Sequence, residues 1–392
     1  MHMVKRNQNM ARLSASYLFP EINQRKKSFL ANNPQAKLIS LGVGDTTEPI
    51  PPFITDSLVH ASAKLGTRAG YTGYGPEQGV EALRTSIAKN IYNGIVHTNE
   101  IFISDGAKSD LGRLQLLFGS DITIAVQDPA YPVYVEGSII KGVKSIIYMP
   151  CVPENDFFPD LKSVPRTDLI YFCSPNNPTG AVANREQLKK LVAFAKANHS
   201  IIIFDSAYSN YIQDAEIPKS IYEIPGSRDV AIEISSFSKL AGFTGVRLGW
   251  TVIPDELKYD DGSPVKPDWN RVVSTIFNGA SNVSQHGGLH VLHPEGIQEV
   301  KHLTSFYLKN ASLIRSALES HGLEVHGGKN APYLWVRFPG RKSWDVFQEF
   351  LEKYHIVTTP GSGFGPKGEG FIRFTAFGKR ENIQEAVHRL TK

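Results

Sequence analysis

The chain has 392 residues, more than one hydrophobic core usually serves, so two domains are expected. Hydrophobic residues make up 41% and charged residues 20%, ordinary values for a globular protein. No run approaches 18 apolar residues, which excludes a helical membrane span, and the mild net charge of +4 argues against nucleic acid as a partner. The basic clusters Arg25-Lys26-Lys27 and Lys189-Lys190 are short and read as solvated helix faces. Lys5 and Arg6 are not followed by an apolar stretch, and Cys151 and Cys173 lack metal-ligand spacing. No secretory leader, disulfide framework or metal site is therefore expected, and a reducing cytoplasm is.

The elements follow in chain order. Val80, Leu83, Ile87 and Ile91 fall at helical spacing and predict a helix over 77–92. A strand over 101–104 leads through Asp105-Gly106-Ala107-Lys108 into a helix ending near Phe118. Strands are predicted over 121–127, 146–149 and 169–173, with a helix over 131–141 between the first two. A helix over 185–197 precedes a buried strand over 200–204, and strands over 230–235 and 247–253 follow. Strands alternating with helices predict an α/β fold with a mainly parallel central sheet. In such sheets ligands sit beyond the carboxyl ends of the strands. Lys108, Asn177, Asp205 and Lys239 all fall there.

A long helix over 294–321 changes the texture. Strands over 333–338 and 371–377 alternate with helices over 343–354 and 381–390, which predicts a smaller α+β domain. The division expected is 51–290 for the large domain and 291–392 for the small one, joined by the N-terminal segment 1–50.

The most informative stretch is Ser236-Phe237-Ser238-Lys239, followed by Leu240-Ala241-Gly242-Phe243-Thr244-Gly245-Val246-Arg247-Leu248-Gly249-Trp250. Serine hydroxyls and a guanidinium suit a phosphate. Glycines let backbone approach a ligand closely, and a lysine amine can form a Schiff base with an aldehyde. A lone Ser-x-Ser-Lys would be read as a surface turn; the full segment is not.

This segment resembles the cofactor-lysine motif of the class I/II aminotransferases, the fold-type I enzymes that use pyridoxal 5'-phosphate (PLP). Ser174-Pro175-Asn176-Asn177-Pro178-Thr179-Gly180 resembles that family's Asn-Pro-x-Gly signature. Phe204-Asp205-Ser206-Ala207-Tyr208 and Asp128-Pro129-Ala130-Tyr131-Pro132 resemble the segments that face the cofactor ring. The resemblance spans nearly the whole chain. It implies Lys239 as the residue that carries PLP and moves the substrate's α-proton, with Asp205 and Tyr208 as its catalytic partners. PLP is an electron sink only while its ring nitrogen stays protonated, which a buried carboxylate favours; Asp205 is the candidate. Asn177 and Tyr208 would hold the ring's phenolic oxygen and Tyr131 would stack on it. Ala107 and Lys108 at a helix N-terminus, with Ser236, Ser238 and Arg247, would cup the phosphate. Arg373 matches the family's clamp for the substrate α-carboxylate.

Four further motifs narrow the resemblance to one branch. They are 41–49, 73–79, 103–108 and Phe277-Asn278-Gly279-Ala280-Ser281. That branch interconverts LL-diaminopimelate plus 2-oxoglutarate with tetrahydrodipicolinate plus glutamate, in lysine biosynthesis. The resemblance implies substrate contacts from Tyr17, Gly44, Lys108, Tyr131, Asn177, Asn278 and Arg373. It also implies a homodimer with shared active sites, in which Tyr74 reaches the PLP phosphate across the interface and Glu77 meets the distal ammonium. Read alone, Glu77 is a first-turn acid stabilising its helix. The same cofactor residues would also serve an aspartate or aromatic aminotransferase or a C–S lyase. A PLP-sensing regulator would need a DNA-binding module ahead of Tyr17, and none is expected.

Overall fold

The computed structural model describes residues 3–13 and 18–391. Tyr17, one of the expected substrate contacts, lies outside the described residues. A two-residue strand, β1 (Ile39–Ser40), comes first. Seven strands then build the main sheet: β2 (Ile101–Ser104), β3 (Thr123–Asp128), β4 (Ser145–Pro150), β5 (Leu169–Cys173), β6 (Ile201–Asp205), β7 (Ala231–Ser236) and β8 (Gly249–Val252). Their spatial order is β2-β8-β7-β6-β5-β3-β4. Only β8 runs antiparallel to its neighbours, so the sheet is mainly parallel, as expected.

Successive side chains of a strand point to opposite faces. Ile101, Ile103, Ile170, Phe172, Ile202 and Phe204 enter one apolar core, and Phe102, Leu169, Tyr171, Ile203, Ile232 and Ile234 enter another. Both faces are covered, which is why these strands read as continuous apolar runs rather than alternating ones.

Five strands follow: β9 (Glu324–Gly327), β10 (Tyr333–Arg337), β11 (Ile356–Val357), β12 (Thr359–Pro360) and β13 (Phe371–Thr375). Four of them form the antiparallel sheet β12-β13-β10-β9, while β11 pairs in parallel with β1. A third core joins Leu334, Trp335, Ile372 and Phe374 of this sheet to Leu18, Ile22, Ile39 and Leu41 near the N-terminus. The helix Pro294–Ser320 runs between the two sheets in the sequence. No helix is long and apolar enough to cross a membrane among the described residues.

The structure corrects two expected boundaries and adds a helix. The helix predicted from residue 77 begins at Glu81. Gly79 takes φ +95° in a turn closed by its N–H to the Pro76 carbonyl at 2.8 Å, a conformation outside the right-handed helix. Glu77 is therefore an exposed turn residue and not a first-turn helix acid. The strand predicted from 247 begins at Gly249, because Arg247 sits at φ +65°. The helix Asn282–Val291 has no counterpart among the expected elements, and Gly287 and Gly288 sit within it. They are packing glycines: a side chain on Gly287 would run into Leu58 and one on Gly288 into Leu248.

Candidate active site

A cavity of about 400 Å³ opens at the carboxyl ends of the parallel strands, where the sequence places its chemical residues. Beyond β7 the chain turns into the short helix Phe237–Leu240, which carries Lys239. Ser236 caps that helix, its Oγ accepting from the Ser238 N–H at 3.0 Å and donating to the Leu248 carbonyl at 3.2 Å. The Lys239 ammonium donates to the Gly44 carbonyl. Burial brings its pKa down to about 8; Asp45 opposes that shift, and the cations Arg373 and Arg247 add to it. An amine so placed reaches its neutral form, which a nucleophile or base needs, far more readily near neutral pH than an ordinary lysine does.

After β2, Gly106 takes φ +130° and opens the helix Ala107–Leu117 with no side-chain cap. The first-turn N–H groups of a helix have no partner within it, so Ala107 and Lys108 offer donors to an anion. Arg247 leans over this end: a side chain on Gly106 would run into its guanidinium. Arg247 donates to Ser238 Oγ and to the Thr244 carbonyl, both at 3.2 Å. Gly249 lets β8 approach; a Cβ there would lie 2.8 Å from the Gly106 Cα. Helix end, serines and guanidinium together make a cup with no carboxylate in it.

Asp205 ends β6 and is buried. Its Oδ2 accepts from Tyr134 Oη at 2.8 Å and its Oδ1 from the Ala207 N–H at 3.0 Å. Burial raises its pKa, and those two donors oppose the shift. Tyr131, half-buried on the cavity wall, has its phenol pushed up to about 12, first by burial and then by the Asp205 charge. The Lys108 ammonium lies 5.5 Å from the Tyr131 ring centroid. Tyr208 shares a 2.8 Å hydrogen bond with the Tyr333 hydroxyl.

Arg373 sits in the middle of β13, opposite Trp335, and is only 1% exposed. Its Nη1 donates to Asn177 Oδ1 at 2.7 Å and its Nη2 to the Gly42 carbonyl at 2.5 Å. Its guanidinium carbon lies 4.7 Å from the Tyr333 ring centroid and 4.8 Å from that of Phe364. It has no carboxylate partner among the described residues, and its Nε has no hydrogen-bond partner. Burial lowers its pKa. A buried cation left without an anion is costly, and the open cavity beside it is where an anion fits.

The fold thus gathers Gly44, Ala107, Lys108, Tyr131, Asn177, Asp205, Tyr208, Ser236, Ser238, Lys239, Arg247 and Arg373 around one cavity. It does not bring in Tyr74, Glu77 or Asn278. Those three are exposed, Tyr74 at 88%. They lie along one strip, where Gly279 packs on the Pro76–Glu77 backbone and Asn282 holds Thr72 and Gly73. Sequence reasoning missed Tyr134, Tyr333 and Asp45. The two tyrosines are buried and sit in apolar segments, where a tyrosine is indistinguishable from core packing.

The chain is similar to several known proteins. The family model "Aminotransferase class I and II" matches residues 36–390. A rice (Oryza sativa subsp. japonica) relative called probable LL-diaminopimelate aminotransferase, chloroplastic, is 59% identical, over 99% of this chain and 86% of its own. The LL-diaminopimelate aminotransferase of Protochlamydia amoebophila (strain UWE25) is 53% identical, over 99% of this chain and 97% of its own. The solved structure of L,L-diaminopimelate aminotransferase from Chlamydomonas reinhardtii superposes with a TM-score of 0.95 at 56% identity, covering 98% of each chain.

Proposed function

Because the chain belongs to the class I and II aminotransferase family, we infer that it moves an amino group between LL-diaminopimelate and 2-oxoglutarate, giving tetrahydrodipicolinate and glutamate. The relatives at 53–59% identity over nearly the full chain favour this reading over an aspartate or aromatic aminotransferase or a C–S lyase. The observation that carries it in the structure is the buried, carboxylate-free Arg373 facing the cavity that Lys239 enters.

The residues present fit PLP. The cup around Gly106, Ser236, Ser238 and Arg247 suits its phosphate, and buried Asp205 suits its ring nitrogen. When bound, PLP supplies an electron sink for the carbanion left at the substrate's α-carbon. Asp205 would set a carboxylate at the ring nitrogen, and Tyr134 and the Ala207 N–H hold its oxygens in place. Arg373 clamps the substrate α-carboxylate through a planar fork, which fixes the α-carbon relative to Lys239. Asn177 holds the fork from behind. Lys239 would hold and move the substrate's α-proton, a task its lowered basicity suits. Tyr208, tied to Tyr333, would offer its hydroxyl to the ring's phenolic oxygen.

Tyr74, Glu77 and Asn278 are exposed and do not line their own cavity, which leaves them free to serve a neighbour's and supports a homodimer. In that assembly Glu77 meets the distal ammonium of diaminopimelate and Tyr74 the cofactor phosphate. The two-domain division, with residues 1–50 joining 291–392, is supported by the β1–β11 pairing and the shared core. Both cysteines are buried and unpaired, which favours a reducing compartment such as the cytoplasm.

An amino-donor panel tests the reading. Purified PLP-loaded protein should convert LL-diaminopimelate and glutamate, with aspartate and phenylalanine poor donors. Good turnover of aspartate or phenylalanine with none of LL-diaminopimelate would overturn it.

A further inference from the structure

A second cavity, of about 440 Å³, lies behind the wall of the first. The two share Ala207 and Ser236 as lining residues. Leu240, next in the chain to Lys239, lines only the second. Its volume is within the range of about 300–1,000 Å³ typical of small-molecule sites.

The lining is chemically one-sided. Trp250, Val291 and Val300 are buried and give it an apolar body. Ser220 and Thr304 add buried hydroxyls, and Asn210 is fixed by a 3.1 Å hydrogen bond to Thr304. Lys219 and Lys301 stand exposed at the rim. Neither makes an ion pair among the described residues, and no aspartate or glutamate lines the cavity. An apolar slot with two unpaired ammonium groups and no acid selects an anion with a hydrophobic body. Inorganic phosphate would leave the apolar walls unused, and a neutral ligand would leave the lysines unused.

We propose that this cavity binds a small organic carboxylate, with its apolar body against Trp250 and Val300 and its charge at Lys219 and Lys301. A ligand there rests on the reverse side of the segments that carry Asp205 and Lys239. The proposal does not depend on the catalytic reading, because its test observes binding and not turnover.

Trp250 makes the site observable. It lines the second cavity and not the first. The probe is 4-bromobenzoate, whose bromine quenches a tryptophan it touches, titrated into PLP-loaded protein. Saturable quenching is expected, with none from inorganic phosphate and at least fivefold weaker binding of uncharged 4-bromobenzyl alcohol. Trp250→Phe should abolish the quenching. The surface variant Lys219→Glu/Lys301→Glu should weaken binding roughly tenfold, as expected for reversing two solvated charges. If Trp250→Phe does not fold, the double variant decides alone, since both of its positions are exposed. The proposal is overturned by absence of saturable quenching. It is also overturned by equal binding of the alcohol, by unchanged affinity in the double variant, or by quenching that survives Trp250→Phe, which would place the probe beside another tryptophan.

Discussion

Asp205 and Glu233 sit on the neighbouring strands β6 and β7, and both carboxylates are buried, at 6% and 1% exposure. Phe204 pairs with Glu233 and Asp205 with Ile234, so the two acids point to opposite faces of the sheet. Glu233 is closed on every side. Its Oε1 accepts from Tyr92 and Ser206, and its Oε2 from Ser220 and the Ile221 N–H, at 2.6–3.1 Å. Asp205 has two donors and borders a cavity. The arginines repeat the contrast. Arg228 is saturated by Glu100 and Glu256, whereas Arg373, more deeply buried, has no acid. A buried charge whose partners are all protein is a structural member; one with capacity left over toward an open cavity is part of a site.

The sharpest way to break this contrast is Lys239→Ala. It should lower turnover by at least about 10³-fold, because the proton carrier is lost, with little change in melting temperature. Near-normal turnover would move the chemistry to another amine. Arg373→Lys keeps the charge but loses the fork. It should raise KM for both glutamate and LL-diaminopimelate by roughly 10–100-fold, the value of a charge-assisted bidentate pair. An unchanged KM would make Arg373 a structural arginine like Arg228. Glu77→Ala should raise KM for LL-diaminopimelate by about tenfold and leave glutamate within about twofold, since only the former carries a distal ammonium. Equal effects would mean that Glu77 only shapes its turn.

The closed acid has its own signature in stability. Burial raises the Glu233 pKa to about 7, against an ordinary glutamate value of 4.5. The folded state therefore holds this proton more tightly than the unfolded chain does. Its contribution is fully present below pH 4.5 and is lost as pH rises through about 7, a loss on the order of 3 kcal/mol. Denaturant unfolding from pH 5 to 8 should show that decline in the wild type and a flatter profile in Glu233→Gln. Identical profiles would mean that the carboxylate is ionised throughout.

Much of the site is legible in the sequence. Lys239, Asn177 and Lys108 follow, and Asp205 ends, strands that the apolar runs mark to within one residue. What failed was local or nonlocal in a specific way. The start of the 81–90 helix was misjudged because apolar spacing does not register that Gly79 takes positive φ. The helix at 282–291 was missed because its glycines are set by Leu58 and Leu248, far away in the chain. Tyr134 and Tyr333 were invisible because their significance lies in one hydroxyl contact each, with Asp205 and Tyr208. No sequence pattern distinguishes those contacts from packing.

The most direct test of the contrast pairs its two acids in one assay, turnover of LL-diaminopimelate with 2-oxoglutarate by Asp205→Asn and by Glu233→Gln. Asp205→Asn should lower kcat by at least about 10²-fold, because the ring nitrogen loses its counter-charge. Glu233→Gln should stay within about threefold of the wild type. A normal rate in Asp205→Asn, or an equal loss in both variants, would contradict the division between closed and open buried charges.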